Sequence, residues 1–362
     1  MNSKTKIVFF LGTLNAGGAE RVTINIIRKL NPEEFDITLI CVEFKGAFVP
    51  LIPKHVKRVD LDAKKTLLSI FKLRAKIAEI EPDIIFSTLF RTHIATTLSL
   101  IGLKQQPITI FRSPTSPKTL IERGEMSQMM RSLLTLSYKK AHRILAQTPA
   151  MREEIAYFHK VDDKKIDVFL NPLDTELIDD KINEEKSPFD NKYTNIVAAG
   201  RVSEVKGFDT LIYALKIVVE NNPNFILHII GRDGGEEAKL KNLVEELNLK
   251  KNIIFWGFQE NPYLFFNFSD LYVLSSRREG LPNTVLENLY LNKPIVATRC
   301  ISFMDELIDD KKNGFIVDVE DSKGMANAIL NYKELETKGS NYTERLLDVN
   351  QFFKKLYKRE NI

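Results

Sequence analysis

Twelve short apolar runs, in two sets of six, set the architecture open to this chain. The first set is KIVFFLG, DITLICV, DIIFST, PITIFR, RILAQT and DVFLN; the second is NIVAAGR, FILHIIG, NIIFWG, LYVLSS, PIVATR and GFIVD. Most are continuous rather than alternating, the pattern of strands covered on both faces. Helical patterns lie between many of them. In GFDTLIYALKIVVENNP, Phe208, Leu211, Leu215, Val218 and Val219 share one face, and Pro223 follows the end. Strands alternating with helices imply parallel, doubly wound sheets, and two sets imply two α/β domains. A length of 362 residues suits that division. The break is expected within 174–193, DTELIDDKINEEKSPFDNKY, which is acidic and poor in pattern.

Composition excludes several classes. With 44% hydrophobic and 28% charged residues the chain is ordinary for a soluble domain protein. Cys41 and Cys300 are too far apart in sequence to suggest a metal motif or a disulfide framework, which favours a reducing compartment. The run in MNSKTKIVFFLG is too short for the core of a signal peptide and reads as a buried first strand. No stretch approaches the roughly 20 apolar residues of a membrane span. The net charge of +4 hides an asymmetry: residues 1–172 hold 27 Lys and Arg against 17 Asp and Glu, and the remainder holds 25 against 31. A basic half beside an acidic half suggests that the first meets an anionic surface.

A doubly wound sheet binds ligands beyond the carboxyl ends of its strands, and the informative residues are expected there. In LGTLNAGGAERV, Gly17 and Gly18 open a helix after the first strand. They read either as a close backbone approach to an anion or as a turn needing positive φ. No G-x-G-x-x-G fingerprint occurs. In AAGRVSEVKGFDTLI, Arg201 and Lys206 follow a strand, where they suit a diphosphate or a solvated loop. In SSRREGLPNTVLENL, Glu279 and Glu287 bracket the start of a helix. Thr284 to Glu287 also fits a capping box. That leaves Glu279 unexplained and expected to be exposed. Carboxylates accept hydrogen bonds from vicinal sugar hydroxyls. Two carboxylates for two rings, with a helix start between them for phosphate, describe a nucleotide-sugar site.

Taken in order, GGAERV, AQTPAMREEI, NPLD at 171–174, GRVSEVKGFDTLI, IIGRDGGEEAKLK, SDLYVLSSRREGLPNTVLE, PIVATRC and NGFIVDVED resemble the retaining glycosyltransferases of family four over nearly the whole chain. The resemblance implies a GT-B fold, two Rossmann-like domains facing across a cleft. These would be an acceptor domain at 1–173, a donor domain at 174–340, and a C-terminal helix at 341–362 packing back on the first. It further implies that Glu279 contacts the donor sugar and Glu287 the ribose. Gly280, Leu281, Asn283 and Thr284 would lie at the diphosphate, which Arg201 and Lys206 neutralise. Gly231 would line the donor site, and Gly17 and Gly18 the loop that closes over it. Relatives often carry a histidine where ITIFRSPTSP places Arg112. His93 is the other candidate for a sugar or acceptor contact, or a helix-start residue without chemical role. Arg232 is a shift from the family's GDGPE string. CISFMDE lacks the glycine pair found before the position of Glu306, which leaves that residue's role open.

As the sugar leaves, negative charge grows on the diphosphate, where Arg201, Lys206 and a helix start would stabilise it. No metal is assigned: Asp60-Leu-Asp62 and Asp318-Val-Glu320 read as loop or strand ends. No cofactor is expected besides the nucleotide-sugar substrate, for which UDP is favoured, and no nucleic acid. The segment KKTLLSIFKLRAKIAEIE sets Lys65, Ser69, Lys72 and Lys76 along one helical stripe, with Lys64 before it and Leu67, Ile70, Phe71 and Ile77 largely elsewhere. MMRSLLTLSYKKAHR is similar in character. With the basic half, they point to an anionic membrane surface and a polyprenyl-diphosphate-linked glycan acceptor, hence a cytoplasmic enzyme on the inner face of the membrane. The alternatives are a non-hydrolysing sugar-nucleotide epimerase and a non-catalytic nucleotide-sugar-binding module.

Overall fold

The computed structural model describes residues 4–15, 17–122, 124, 126–183, 186–337 and 348–360. It divides into two units, 1–174 with 346–362, and 175–345.

The first unit is built on strands β1 (Thr5–Leu11), β2 (Phe35–Cys41), β3 (Lys57–Asp60), β4 (Ile84–Thr88), β5 (Ile108–Ser113), β6 (Arg143–Ala146) and β7 (Ile166–Val168). Its helices are α1 (Gly18–Lys29), α2 (Ile70–Ile80), α3 (Phe90–Ser99), α4 (Pro117–Glu122), α5 (Gln128–Lys140) and α6 (Pro149–His159). The second unit holds α7 (Thr175–Ile182), β8 (Thr194–Ala199), α8 (Phe208–Asn221), β9 (Phe225–Ile230), α9 (Glu237–Glu246), β10 (Ile253–Gly257), α10 (Pro262–Phe268), β11 (Leu271–Leu274), α11 (Asn283–Tyr290), β12 (Ile295–Thr298), α12 (Met304–Leu307), β13 (Gly314–Val317) and α13 (Ser322–Leu330). The last helix, α14 (Val349–Glu360), returns to the first unit.

Both sheets are parallel throughout. Their orders are β3-β2-β1-β4-β5-β6-β7 and β10-β9-β8-β11-β12-β13. Each reverses direction once, between β1 and β4 in the first and between β8 and β11 in the second. Such a reversal opens a crevice at the carboxyl ends of the two strands that flank it. Every one of the twelve apolar runs forms a strand. The first sheet has a seventh, β3, whose KRVD sequence carries no apolar run. It is a largely exposed edge strand paired only with β2, so it needs no apolar face.

The central strands are buried end to end: Ile7, Phe9, Ile84, Phe86, Ile196, Val197 and Val296 are all at zero exposure. Covering helices supply the other half of each core. On α8, Phe208, Leu211, Leu215 and Val218 are buried as their spacing predicts, and Val219 sits at the margin. The segment 174–193, expected to hold the break and read as poor in pattern, contains a helix. This is α7, whose Leu177 and Ile178 are buried while its acidic residues face out. One apolar pair per turn suffices for so short a helix, and the surrounding charge masks it in the sequence. On the first unit Phe353 of α14 is fully buried, its ring 6.3 Å from that of Phe9 and 6.1 Å from that of Phe86. Asn350 on the same helix accepts from the Asn31 backbone at 2.7 Å and donates to the Lys29 carbonyl at 2.8 Å. Tertiary packing holds α14, because its exposed face is too basic and short to be stable alone.

Candidate active site

In the second sheet the switch lies between β8 and β11. The first of these strands delivers Gly200, Arg201 and Lys206, and the second delivers Ser275, Ser276, Arg277 and Glu279. Three bonds clamp the two strand ends together. Ser275 Oγ donates to the Lys206 carbonyl at 2.8 Å, the Arg277 backbone N–H donates to the Val205 carbonyl at 2.8 Å, and Arg277 Nη1 donates to the Glu204 carbonyl at 2.5 Å. Within this clamp Lys206 Nζ donates to Glu279 Oε1 at 2.7 Å, and Ser276 Oγ donates to the same oxygen at 2.8 Å. The side chains are 21% and 17% exposed. Glu279 is therefore not the exposed carboxylate expected from sequence. Lysine and serine draw it inward, which is why a charge in a turn can be covered.

Glycines make the clamp possible. Gly207 has φ of +60°, and a side chain there would collide with the Ser275 carbonyl. At Gly231, at the end of β9, a side chain would collide with the Gly200 carbonyl, so the ends of β8 and β9 meet without a side chain between them. Gly207→Ala is expected to cost on the order of 1–3 kcal/mol in unfolding free energy. Denaturant unfolding would check this, and an unchanged value would contradict the clamp.

Helix α11 begins beside this pair. Its N-cap is Pro282, with no side-chain cap bond, which places Thr284 two residues too far in to cap. The capping-box expectation for Thr284 and Glu287 is thus overturned. Thr284 instead accepts from the Tyr272 hydroxyl at 2.6 Å. Gly280 and Leu281 precede the helix and Asn283 is its first residue, so all lie at its N-terminal end with Thr284. Glu287 is 6% exposed, one full turn into α11. A carboxylate so covered needs hydrogen-bond donors, which a bare capping role would not require. Arg201 is exposed at the end of β8.

Two residues here were not singled out from sequence. Arg277 forks onto both oxygens of Asp209 at 3.0 and 2.8 Å and reaches Glu320 at 2.6 Å. Asp209 first, and Glu320 with it, hold the guanidinium above its ordinary value. The fork fixes the loop that carries Glu279. Cys300, just beyond β12, has its thiol pushed up to about 12, by burial first and by Glu279 next. The neighbouring strand β12 is tied in by Thr298 Oγ1, which donates to the Ser276 carbonyl at 2.5 Å. A serine pair at a strand end was the available signal for the clamp. Nothing local marked Arg277 or Cys300.

The remaining predicted residues lie in the first unit. Gly17 is the N-cap of α1 with φ of −119°, so the turn does not demand positive φ. Its lack of a side chain leaves room for the Glu20 carboxylate, which folds back over the helix start. Gly18 is the first residue of α1. His93 is wholly buried in α3, stacked on Phe111 with ring centroids 4.8 Å apart. Its Nε2–H donates to the Arg112 carbonyl at 3.1 Å, so Nδ1 accepts from Ser87 Oγ at 2.8 Å. Burial first, with the charge of Arg112 adding to it against the raising effect of the backbone bond, lowers its pKa to about 3. Arg112 is 1% exposed at the end of β5. Its Nη2 donates to Asn171 Oδ1 at 2.5 Å, and Gln147 Nε2 donates to that same oxygen at 3.0 Å. Burial lowers the Arg112 pKa to about 9.

Comparison with known proteins decides the family. The model described as Glycosyltransferase Family 4 matches residues 16–177, and that described as Glycosyl transferases group 1 matches 179–346. The chain belongs to the family-four glycosyltransferases. This glycosyltransferase is 30% identical over 261 residues to an uncharacterised glycosyltransferase of Methanocaldococcus jannaschii, covering 69% of this chain and 63% of that protein. It is 26% identical over 330 residues to the N-acetylgalactosamine-N,N'-diacetylbacillosaminyl-diphospho-undecaprenol 4-alpha-N-acetylgalactosaminyltransferase of Campylobacter jejuni, covering 88% of each. Thus the match spans just under two thirds of the first relative and most of the second. Its fold is that of HepE from Anabaena, solved in complex with UDP, with a TM-score of 0.79 at 19% identity over 98% of this chain and 100% of that one. Two parallel α/β units and this likeness make the fold GT-B.

Proposed function

We propose that this glycosyltransferase moves a hexose or N-acetylhexosamine from a nucleotide sugar, with UDP favoured, to a polyprenyl-diphosphate-linked glycan, with retention of configuration and without a metal ion. The observation that carries the reading is the Lys206–Glu279 ion pair at the switch point of the second sheet, beside the start of α11. In the ligand-free site each group neutralises the other. A donor diphosphate carries more negative charge than one carboxylate and competes for Lys206. The lysine then turns to the phosphates with Arg201, while Glu279 is released to accept from the sugar hydroxyls. Glu287 takes the ribose. Charge that develops on the leaving phosphates meets two cations and a helix start that are already in place.

The Campylobacter jejuni relative is named for transfer to a diphospho-undecaprenol-linked sugar, which supports the acceptor class. Retention follows the family resemblance. No helix among the described residues is long and apolar enough to cross a membrane. With the basic first half, this favours an enzyme that sits on the cytoplasmic face of the membrane rather than in it.

The two glutamates test the reading. Glu287→Gln is expected to weaken binding of free UDP by about tenfold to a hundredfold, the loss of a hydrogen bond to a charged acceptor. Glu279→Gln is expected to leave UDP affinity unchanged or raised, since it frees Lys206, and to slow sugar transfer. Calorimetric titration with UDP and a transfer assay separate the two. Equal loss of UDP affinity in both variants would refute the assignment. A sugar-nucleotide epimerase would instead alter the donor in the absence of any acceptor.

A further inference from the structure

The segment from Ala63 to Ala78 holds Lys64, Lys65, Lys72, Arg74 and Lys76 and no acidic residue. The structure sorts these cations. Lys72 Nζ is spent on the Leu61 and Asp62 carbonyls, both at 2.9 Å, and Lys76 Nζ on Glu79 at 2.6 Å. Arg74 is turned to the Ser99 and Ile101 carbonyls. Lys64 and Lys65 remain exposed on the approach to a short 3-10 turn, Thr66–Ser69, that leads into α2. The basic stripe expected from sequence is therefore partly tied into bonds within the unit, with Lys72 and Lys76 still at the surface.

The apolar residues sort in the opposite sense. Ser69, Leu73 and Ile77 point inward and are buried. Leu67, Leu68 and Phe71 point outward, and Phe71 is 83% and Leu68 68% exposed. Large apolar side chains so exposed within five residues are uncommon on a solvated surface. They lie on the outer side of the 3-10 turn and the first turn of α2, and so fit a deformable apolar layer better than a shaped protein partner. Lys64 and Lys65 stand at the edge of this apolar set, where phospholipid phosphates would lie if it were inserted.

We infer that Leu67, Leu68 and Phe71 form a wedge that enters the acyl boundary of an anionic bilayer, with Lys64 and Lys65 on the headgroups. This deepens the lipid-linked acceptor reading, on which it rests. It replaces a purely electrostatic adsorption by one that needs both insertion and charge.

The test uses the full chain and sedimentation with vesicles of phosphatidylcholine, with and without phosphatidylglycerol. The unaltered protein is expected to partition onto the anionic vesicles and only weakly onto the neutral ones. Leu68→Ser/Phe71→Ser is expected to lower that partition at least tenfold at any salt concentration. Lys64→Gln/Lys65→Gln is expected to lower it about thirtyfold at low salt, with little difference at high salt. Lys72→Gln/Lys76→Gln should lower it less than Lys64→Gln/Lys65→Gln, because Lys76 is already paired with Glu79 and Lys72 is held back against the Leu61 and Asp62 carbonyls. Transfer to a water-soluble acceptor should survive in all three variants. Its loss in the unaltered protein would strike the donor-site reading and not the wedge. The wedge is overturned if Leu68→Ser/Phe71→Ser partitions like the unaltered protein. It is equally overturned if the unaltered protein ignores anionic vesicles, or if the variant's main effect is conversion of a dimer to a monomer, which would make a second copy the occupant.

Discussion

Lys206→Ala is expected to slow sugar transfer by about 10²–10³-fold, the usual effect of removing one preorganised group from a developing charge. Arg201→Ala should act in the same direction, and the two variants should differ in stability. Arg201 is exposed, so its removal leaves the fold untouched. Removing Lys206 strands a carboxylate that is only 17% exposed, with Ser276 as its remaining partner at 2.8 Å. The Lys206→Ala enzyme should therefore melt somewhat lower, and Glu279→Gln added to it should restore melting without restoring transfer. Single-turnover rates beside thermal melts resolve this. Near-normal turnover in both single variants would end the diphosphate assignment. Melting that Glu279→Gln fails to restore would show that the ion pair is not what Lys206 contributes to stability.

The second large effect concerns acid. His93, His159 and His228 are all nearly buried, and burial lowers their pKa values to about 3, about 4 and about 4. In the unfolded chain each regains an ordinary value near 6.5. Above that value neither state binds the proton, and stability does not depend on these groups. As pH falls from about 6.5 towards 4 the unfolded chain takes up three protons that the folded chain refuses, so stability is lost. Each unit of pH below 6.5 costs up to about 1.4 kcal/mol for each histidine. By pH 5 this amounts to about 4 kcal/mol in the first unit and about 2 kcal/mol in the second, against a domain stability of roughly 5–15 kcal/mol. Urea unfolding across pH 7.5 to 5 should show the midpoint falling steeply in that window, before carboxylate pairs begin to titrate. A flat midpoint down to pH 5 would show that these rings take up protons in the folded state. The two units should not respond equally. His93 and His159 lie in the first and His228 in the second, so the first unit should be the more acid-sensitive.

The strands were legible because burial on both faces forces continuous apolar runs, and all twelve runs became strands. The exception, β3, lies at an edge and carries KRVD, where no apolar run is required. Helix α7 was hidden because two buried residues in an acidic surround make no visible period. At the site, sequence located the strand ends that carry Lys206 and Glu279, because a switch point draws ligand chemistry to known places in the chain. It did not show that the two residues bind each other, since a pair 73 positions apart is joined only by the sheet. For the same reason Arg277 was passed over, its partners Asp209 and Glu320 being set by the fold. The fate of the lysines on α2 followed the same rule: residue type gave the charge, and only the fold told which ammonium groups find a partner.

The first unit is closed by a helix that the chain reaches last. Phe353 packs against the Phe9–Phe86 pair in its core, yet some 170 residues of the second unit lie between 174 and 346. Synthesis runs from the N-terminus, so the nascent first unit emerges with the surface under α14 bare. The second unit, by contrast, is one uninterrupted stretch and can complete its core as soon as it leaves the ribosome. Translation order and order of folding are thereby inverted: the half made first is finished last. During that interval the exposed rings of Phe9 and Phe86 are the natural target for a chaperone that holds apolar surface, and a ribosome stalled before Phe353 leaves them uncovered.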